Sequence, residues 1–372
     1  MKSILSYFFN NIKVKSNKIV FSNFNGKGYG CNPKYITEEL IRRNKGYDIV
    51  WLTKEDPSTF PKEIRIVKWG SLKAIYEWST AKVIVNNVRM GGYFARGFKK
   101  KREQIYIQTW HGSSGIKKME GDCVNLPPKY IKKARIDSKN IDFLLSNCSW
   151  LTERYKESFF YDGDILELGS PRNDILFNDK GTLKKIKEIK EKLCIELSSK
   201  IVMYMPTFRD KNNELNFILE ENEIIKSLER RFGGDWVFIY RTHPVMNGAY
   251  STEHDVLNLS NYPDPQELLL ITDCLITDYS SSCFDFLLTK RPVFLYVPDK
   301  DEYEHRRGLY YPIEETPFPI ATNQCELKRE IEFFNQNEYQ KKADNFLLCK
   351  NVVDDGQASK KIVNVIESNI GI

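Results

Sequence analysis

Three groups of side chains in this 372-residue chain have types and spacings that could do chemistry. In the first, Thr277-Asp278-Tyr279-Ser280-Ser281-Ser282 separates the apolar runs Cys274-Leu275-Ile276 and Pro292-Val293-Phe294-Leu295-Tyr296. A hydroxyl-rich turn between a strand and the helix expected from Phe284 to Leu288 offers backbone N–H groups and serine hydroxyls to an anion, and so reads as a phosphate cradle. Its bland alternative is a serine that only starts a helix. The second group is Trp110-His111-Gly112-Ser113-Ser114-Gly115, where a histidine at a strand end, followed at once by glycine, can project into a cleft. A buried histidine stacked on Trp110 is the competing reading. Arg241-Thr242-His243-Pro244 repeats the pattern after another strand, so two of only four histidines occupy matching positions.

The elements that must position these groups can be read from apolar runs and their punctuation. Strands are expected at 18–22, 47–53, 64–67, 82–86 (ending in Asn86-Asn87), 104–109, 141–145 and 165–168, with helices at 33–44, 71–79 and 150–155 between them. Beyond a lysine-rich helix at 183–193 the pattern restarts, with strands at 201–205, 236–240, 256–259, 274–276 and 292–296 and helices at 216–231 and 265–271. Alternation of this kind predicts two mostly parallel α/β sheets, divided near residue 180 into domains 1–180 and 181–372. Arg241, His243 and the serine turn then all fall at the carboxyl ends of strands, the rim where such sheets bind ligands. The glycine-rich turn Asn25-Gly26-Lys27-Gly28-Tyr29-Gly30 lacks the GxGxxG spacing of a dinucleotide site and is read as a flexible βα loop.

Composition narrows the partners without choosing among them. A net charge of +6 suits anionic substrates or an anionic membrane surface, whereas the dispersed basic residues carry no nucleic-acid motif. Lysines and arginines gather at Gly97–Arg102 and, interleaved with Tyr130, Ile131, Ala134 and Ile136, at Pro128–Lys139, which together suggest an interfacial face. The eight cysteines show no CxxC pair or zinc spacing, which favours free thiols in a reducing compartment. Ile4-Leu5-Ser6-Tyr7-Phe8-Phe9 is too short and too interrupted by polar residues to span a membrane, so a cytoplasmic or peripheral, inner-face location is expected.

Taken in order, a set of segments resembles the CDP-glycerol glycerophosphotransferases of teichoic acid and capsule synthesis. These are Asn32-Pro33-Lys34-Tyr35, Gln108-Thr109-Trp110-His111-Gly112, Gly169-Ser170-Pro171-Arg172-Asn173-Asp174, Pro206-Thr207-Phe208-Arg209, Arg241-Thr242-His243-Pro244, Thr277-Asp278-Tyr279-Ser280-Ser281 with Phe284-Asp285, Arg307-Gly308 and Asp355-Gly356. The resemblance implies a GT-B architecture, two Rossmann-like domains facing across a cleft, the first on the acceptor side and toward the membrane, the second binding the donor. It also implies attack by a hydroxyl of a lipid-linked acceptor on a CDP-activated polyol, releasing CMP at the cytoplasmic face of a membrane. His111 is then the general base, and His243 with Arg241 holds the donor phosphates. Thr277, Ser280 and Ser281 form the pyrophosphate cradle, Arg209 and Arg307 add positive charge, and Asp278 orients a neighbour or touches the nucleotide. No DxD-type pair is present, so catalysis without a metal is expected. The chain's length favours addition of one or a few units over long polymerisation. CDP-ribitol as donor, a GT-B glycosyltransferase using a nucleotide sugar, and a non-enzymatic protein binding anionic lipid are the competing readings, and the oligomeric state is left open.

Overall fold

The computed structural model describes residues 2–124, 126–177, 181–207, 219–242 and 256–370, except for the side chains of 2, 3 and 304–307. It divides into two compact units: residues 1–113, 119–174 and 351–372 form the first, and 114–118 with 175–350 the second. The last helix belongs to the first unit, and a five-residue segment directly after the His111 turn belongs to the second.

In the first unit the described strands are β1 (Lys15–Ser22), β2 (Asp48–Thr53), β3 (Arg65–Lys68), β4 (Ala81–Asn86), β5 (Ile105–Gln108), β6 (Phe143–Ser146) and β7 (Asp164–Glu167). They pair in parallel in the order β3-β2-β1-β4-β5-β6-β7. Helices α1 (Lys2–Asn11), α2 (Cys31–Arg43), α3 (Leu72–Thr80), α4 (Gly91–Phe94), α5 (Pro128–Ser138) and α6 (Ser149–Ser158) accompany them. Side chains alternate across a strand, so the near-continuous apolar runs feed a core on each face of the sheet. Val20, Val50, Leu52, Ile84, Tyr106 and Leu144 pack on one face. Their chain neighbours Ile19, Phe21, Ile49, Trp51, Val83, Val85, Ile107 and Leu145 pack on the other.

The second unit holds β8 (Lys200–Met205), β9 (Trp236–Tyr240), β10 (Val256–Asn258), β11 (Cys274–Thr277), β12 (Val293–Tyr296) and β13 (Ile320–Ala321). These are parallel in the order β10-β9-β8-β11-β12-β13. Its helices are α7 (Thr182–Lys192), α8 (Glu221–Phe232), α9 (Pro265–Ile271), α10 (Ser282–Leu287), α11 (Lys300–Arg307), α12 (Gln324–Glu332) and α13 (Gln336–Cys349). The expected helix at 216–231 begins in residues outside those described. None of the eight cysteines is in a disulfide.

Helix α14 (Ala358–Ile370) closes the chain on the first unit. Its buried Ile362, Val363 and Ile366 share the core that holds Ile36 and Leu40 of α2. Glu367 accepts from Arg43 at 2.7 Å and from Tyr47 at 2.5 Å, and the Asp174 carboxylate accepts from the free N–H groups of Ala358 and Ser359 at 2.9 and 2.7 Å. Asp354 anchors the approach to this helix by accepting from Asn147 Nδ2 and from the Ser170 amide. The Gly169–Asp174 and Asp355-Gly356 segments are thus parts of one docking joint within the first unit.

Candidate active site

In a doubly wound sheet the chain reverses its direction of winding between two central strands, and the loops leaving them splay apart to make room for ligand. That switch point lies between β1 and β4 in the first unit and between β8 and β11 in the second. Of the residues picked from the sequence, His111 lies beside the first, and Thr277, Asp278, Ser280 and Ser281 lie at the second.

At the first, the loops after β1, β4 and β5 converge on His111. The turn after β1 folds back on itself, with the amides of Gly26 and Lys27 donating to Asn23 O at 2.9 Å. Gly26 has φ +94°, and a Cβ there would fall 2.7 Å from the Trp69 side chain, so this position accepts only glycine. Asn87 Nδ2 donates to Asn23 Oδ1 at 2.7 Å while Asn87 Oδ1 accepts from the Phe24 amide at 2.9 Å, which ties the glycine-rich turn to the end of β4. The turn expected to be flexible is therefore pinned by buried asparagines.

The His111 ring lies against Trp110, centroids 4.2 Å apart, and edge-on to Phe24 at 4.9 Å. Its Nδ1 is 2.6 Å from the carbonyl oxygen of Asn87. A carbonyl can only accept, so Nδ1 carries the proton and Nε2 presents its lone pair. Dense packing around the half-buried ring disfavours the imidazolium and brings its pKa down to about 4; the Asn87 carbonyl opposes this and the nearby Arg172 charge adds to it. Arg172 is held by Asn32, whose Oδ1 accepts from the Arg172 amide at 3.0 Å while its Nδ2 donates to the carbonyls of Thr109 and Trp110. The result is a neutral imidazole of fixed tautomer, suited to accept a proton. Stacking on Trp110, the bland alternative, is present as well and serves to orient the ring.

At the second switch point, Asp278 follows β11. Its Oδ2 accepts from the Thr207 amide at 2.8 Å, and its Oδ1 from Thr207 Oγ1 at 2.6 Å and the Ser280 amide at 3.2 Å. These bonds tie the turn after β11 to the end of β8. Thr277 is fully buried and donates to Met205 O at 2.6 Å, knitting the same two strand ends together. Ser280 Oγ donates to Ser282 Oγ at 3.1 Å, and Ser281 sits at the N-cap of α10 with helical φ −64° and ψ −12°. The helix therefore starts two residues earlier than expected, with Ser282 inside it. Asp285, four residues past Ser281, accepts from Gln266 Nε2 and is buried.

Arg241 leaves β9 and donates through Nη1 to the carbonyls of Leu259 and Tyr262 at 3.0 and 2.8 Å. Burial lowers its pKa to about 10, with Asp264 and Tyr262 opposing the shift. Through Nη1 this guanidinium braces the turn after β10. His243 and Arg209 lie outside the described residues, as does the Arg307 side chain. A cavity of about 670 Å³ elsewhere in the second unit, lined by Phe318, Phe334, Tyr339 and Phe346, includes none of the picked residues.

The basic runs divide in two. Lys100 pairs with Asp142 at 2.7 Å and Lys101 donates to the carbonyls of Ile12 and Ser79, so half of the Gly97–Arg102 cluster is consumed internally. On α5, Lys129, Lys132 and Arg135 are exposed, whereas Asp137 turns inward.

Asn87 and Arg172 act on His111 without having been picked for that role. The paired asparagines at the end of β4 were the visible signal for the first; Arg172 was visible only as part of a motif.

The chain is 35% identical over 374 residues to the teichoic acid poly(glycerol phosphate) polymerase of Staphylococcus epidermidis, covering 96% of this chain but 51% of that one. It is 32% identical to the teichoic acid glycerol-phosphate transferase of Staphylococcus aureus, covering 94% and 92%. The chain thus spans about half the length of the first relative and most of the second. A solved structure of the wall teichoic acid polymerase TagF, from a histidine variant soaked with CDPG, superposes with TM-score 0.87 at 34% identity over 100% of this chain and 93% of that one. With a family model matching residues 5–368 and relatives this similar along nearly its whole length, the chain belongs to the CDP-glycerol:poly(glycerophosphate) glycerophosphotransferase family.

Proposed function

We propose that this protein transfers glycerol phosphate from CDP-glycerol to a hydroxyl of a lipid-linked acceptor in teichoic acid or capsular polymer synthesis, releasing CMP. The observation that carries the reading is the neutral His111, its Nδ1 proton committed to Asn87 and its Nε2 available. Nε2 takes the proton of the acceptor hydroxyl as that oxygen attacks the phosphorus bearing glycerol. The bond from this phosphorus to the bridging oxygen breaks, and its electron pair leaves on CMP. The first unit is assigned the acceptor chemistry and the second the donor.

In the second unit the serine turn is assigned the pyrophosphate, with Thr277 and Asp278 holding its shape. His243, Arg209 and Arg307 are assigned the growing negative charge. Arg241 contributes by fixing the strand end from which His243 follows. No metal is assigned a role. The surface assigned to an anionic membrane carries the exposed cations of α5 with Lys99 and Arg102, and α1 exposes Ile4, Tyr7 and Phe8. Among the described residues no helix is long and apolar enough to cross a membrane.

The deciding assay compares CMP release from CDP-glycerol, CDP-ribitol and UDP-sugars, with and without a lipid-linked disaccharide, in buffer and in excess chelator. CDP-glycerol is expected to support acceptor-dependent release unchanged by the chelator. Release from CDP-ribitol alone would move the assignment to a ribitol phosphotransferase. Vesicle binding without release from any donor would leave only a lipid-binding protein.

A further inference from the structure

Arg89 lies two residues beyond Asn87 and is nearly enclosed. Its Nε donates to Glu120 at 2.9 Å, its Nη1 to Ser138 Oγ at 2.7 Å and to Asp137 at 3.3 Å, and its Nη2 to Phe159 O at 3.3 Å. Glu120 belongs to the loop preceding α5 and also accepts from Tyr130 at 2.5 Å, while Asp137 and Ser138 close α5 itself. One guanidinium therefore clamps a loop, a helix and the end of α6 to the sheet. A planar five-donor group is the side chain able to do this; a lysine ammonium has neither the fork nor the span.

Two routes lead from this clamp to a single residue. By packing, the Arg89 guanidinium lies 4.4 Å over the Phe159 ring, and Phe159 meets Trp110 edge-on with centroids 4.8 Å apart. By hydrogen bonding, Asp137 Oδ1 accepts from Tyr106 OH, which in turn accepts from Gln108 Nε2 at 2.9 Å, and Gln108 Oε1 accepts from the Trp110 amide at 3.0 Å. Both routes end at Trp110, whose φ of +50° is a left-handed conformation that an aromatic residue holds only when its surroundings impose it. Trp110 is the ring on which His111 lies.

We propose that Arg89 is a positioning residue: through Phe159 and through the Asp137–Tyr106–Gln108 chain it fixes Trp110, and thereby sets the placement of the His111 ring. Because the same guanidinium grips α5, a displacement of that helix is transmitted to His111. The relevance to turnover rests on the reading of His111 as the base. The positioning itself does not.

The test uses Arg89→Lys, which keeps the charge between Glu120 and Asp137 but loses the fork, and Phe159→Leu, which keeps apolar volume but loses the ring. Each is made in the full chain with ¹⁵N-labelled histidine, the His111 resonances being assigned with His111→Gln, and the ring titration and steady-state kinetics are recorded together. Loosening the ring's surroundings is expected to raise the His111 midpoint by about one unit or more from about 4 and to lower kcat about tenfold, with KM for CDP-glycerol held within about twofold. If Arg89→Lys does not fold, Phe159→Leu decides alone. An unmoved His111 titration in the folded variants overturns the proposal. If His111→Gln keeps full turnover while the Arg89 variant still shifts the titration, the base assignment fails and the positioning stands.

Discussion

His111 and Asp137 bind protons abnormally in opposite senses, and their effects on the stability of the first unit should oppose each other. Asp137 is fully buried, and burial raises its pKa to about 6 despite Arg89 and the Met90 amide. The native state therefore holds this proton more tightly than the unfolded chain, and above pH 6 an ionised Asp137 weakens folding by about 3 kcal/mol, a penalty that vanishes as pH falls toward 4. His111, brought down to about 4, behaves in reverse: neutral in both states above pH 6.5, it loses up to about 3 kcal/mol as pH falls toward 4, because only the unfolded chain takes the proton readily. Acidification from pH 6.5 to 4 thus relieves one group while it strains the other. Urea unfolding would be followed by tryptophan fluorescence, since five of the six tryptophans (Trp51, Trp69, Trp78, Trp110, Trp150) lie in the first unit and give a probe that largely separates it from the second. Relative to the parent, Asp137→Asn should lose about 3 kcal/mol between pH 6.5 and 4, whereas His111→Gln should gain a similar amount. Differences of the same sign, or two variants whose curves run parallel to the parent's, would refute the reasoning about both burial sites.

Three other outcomes are expected. A Cβ at Gly91 would meet Lys133 O at 2.2 Å, so Gly91→Ala must part α4 from α5 and should lower Tm by about 5–10 °C, while Gly92→Ala, with nothing within 4 Å, should leave it unchanged in the same scan. With the base titrating near 4, kcat/KM should stay level from pH 8 to 5.5, since the unprotonated form is the active one and is lost only as pH falls through that value; a fall of about tenfold by pH 5.5 would mean an unperturbed imidazole. Asp278→Asn places an N–H₂ group among the amides and hydroxyl that the carboxylate now serves, and should raise KM for CDP-glycerol more than it lowers kcat, with no new pH limb; a pure loss of kcat would mark Asp278 as part of the chemistry instead.

Much of the fold was legible because parallel strands buried on both faces must be apolar along their length. The runs at 18–22, 82–86 and 274–276 needed no partner information to be recognised. The groups at strand ends were legible for a related reason: polar residues directly after such a run must lie on the rim. What escaped reading depended on residues distant in sequence. Nothing local in α14 says that Ile362 and Ile366 pack beside α2, more than 300 positions earlier, or that Asp174 caps that helix. The segment Pro128–Lys139 was read as one basic face because its cations dominate the string, and the single inward acid, Asp137, has its partner at Arg89. Arg241 was picked for its place on a rim, and nothing local announced the bonds its Nη1 makes. Its carbonyl partners Leu259 and Tyr262 come from a turn whose approach could not be foreseen.

The role proposed for His111 is on the acceptor's proton and not in the donor's binding. It is tested most directly by measuring CMP release in the presence of the lipid-linked acceptor for the parent and for His111→Ala, alongside calorimetric binding of CDP-glycerol to each. Turnover is expected to fall at least about a hundredfold, with Kd for the donor held within about threefold. Turnover like the parent's, or a defect confined to donor affinity, would contradict it.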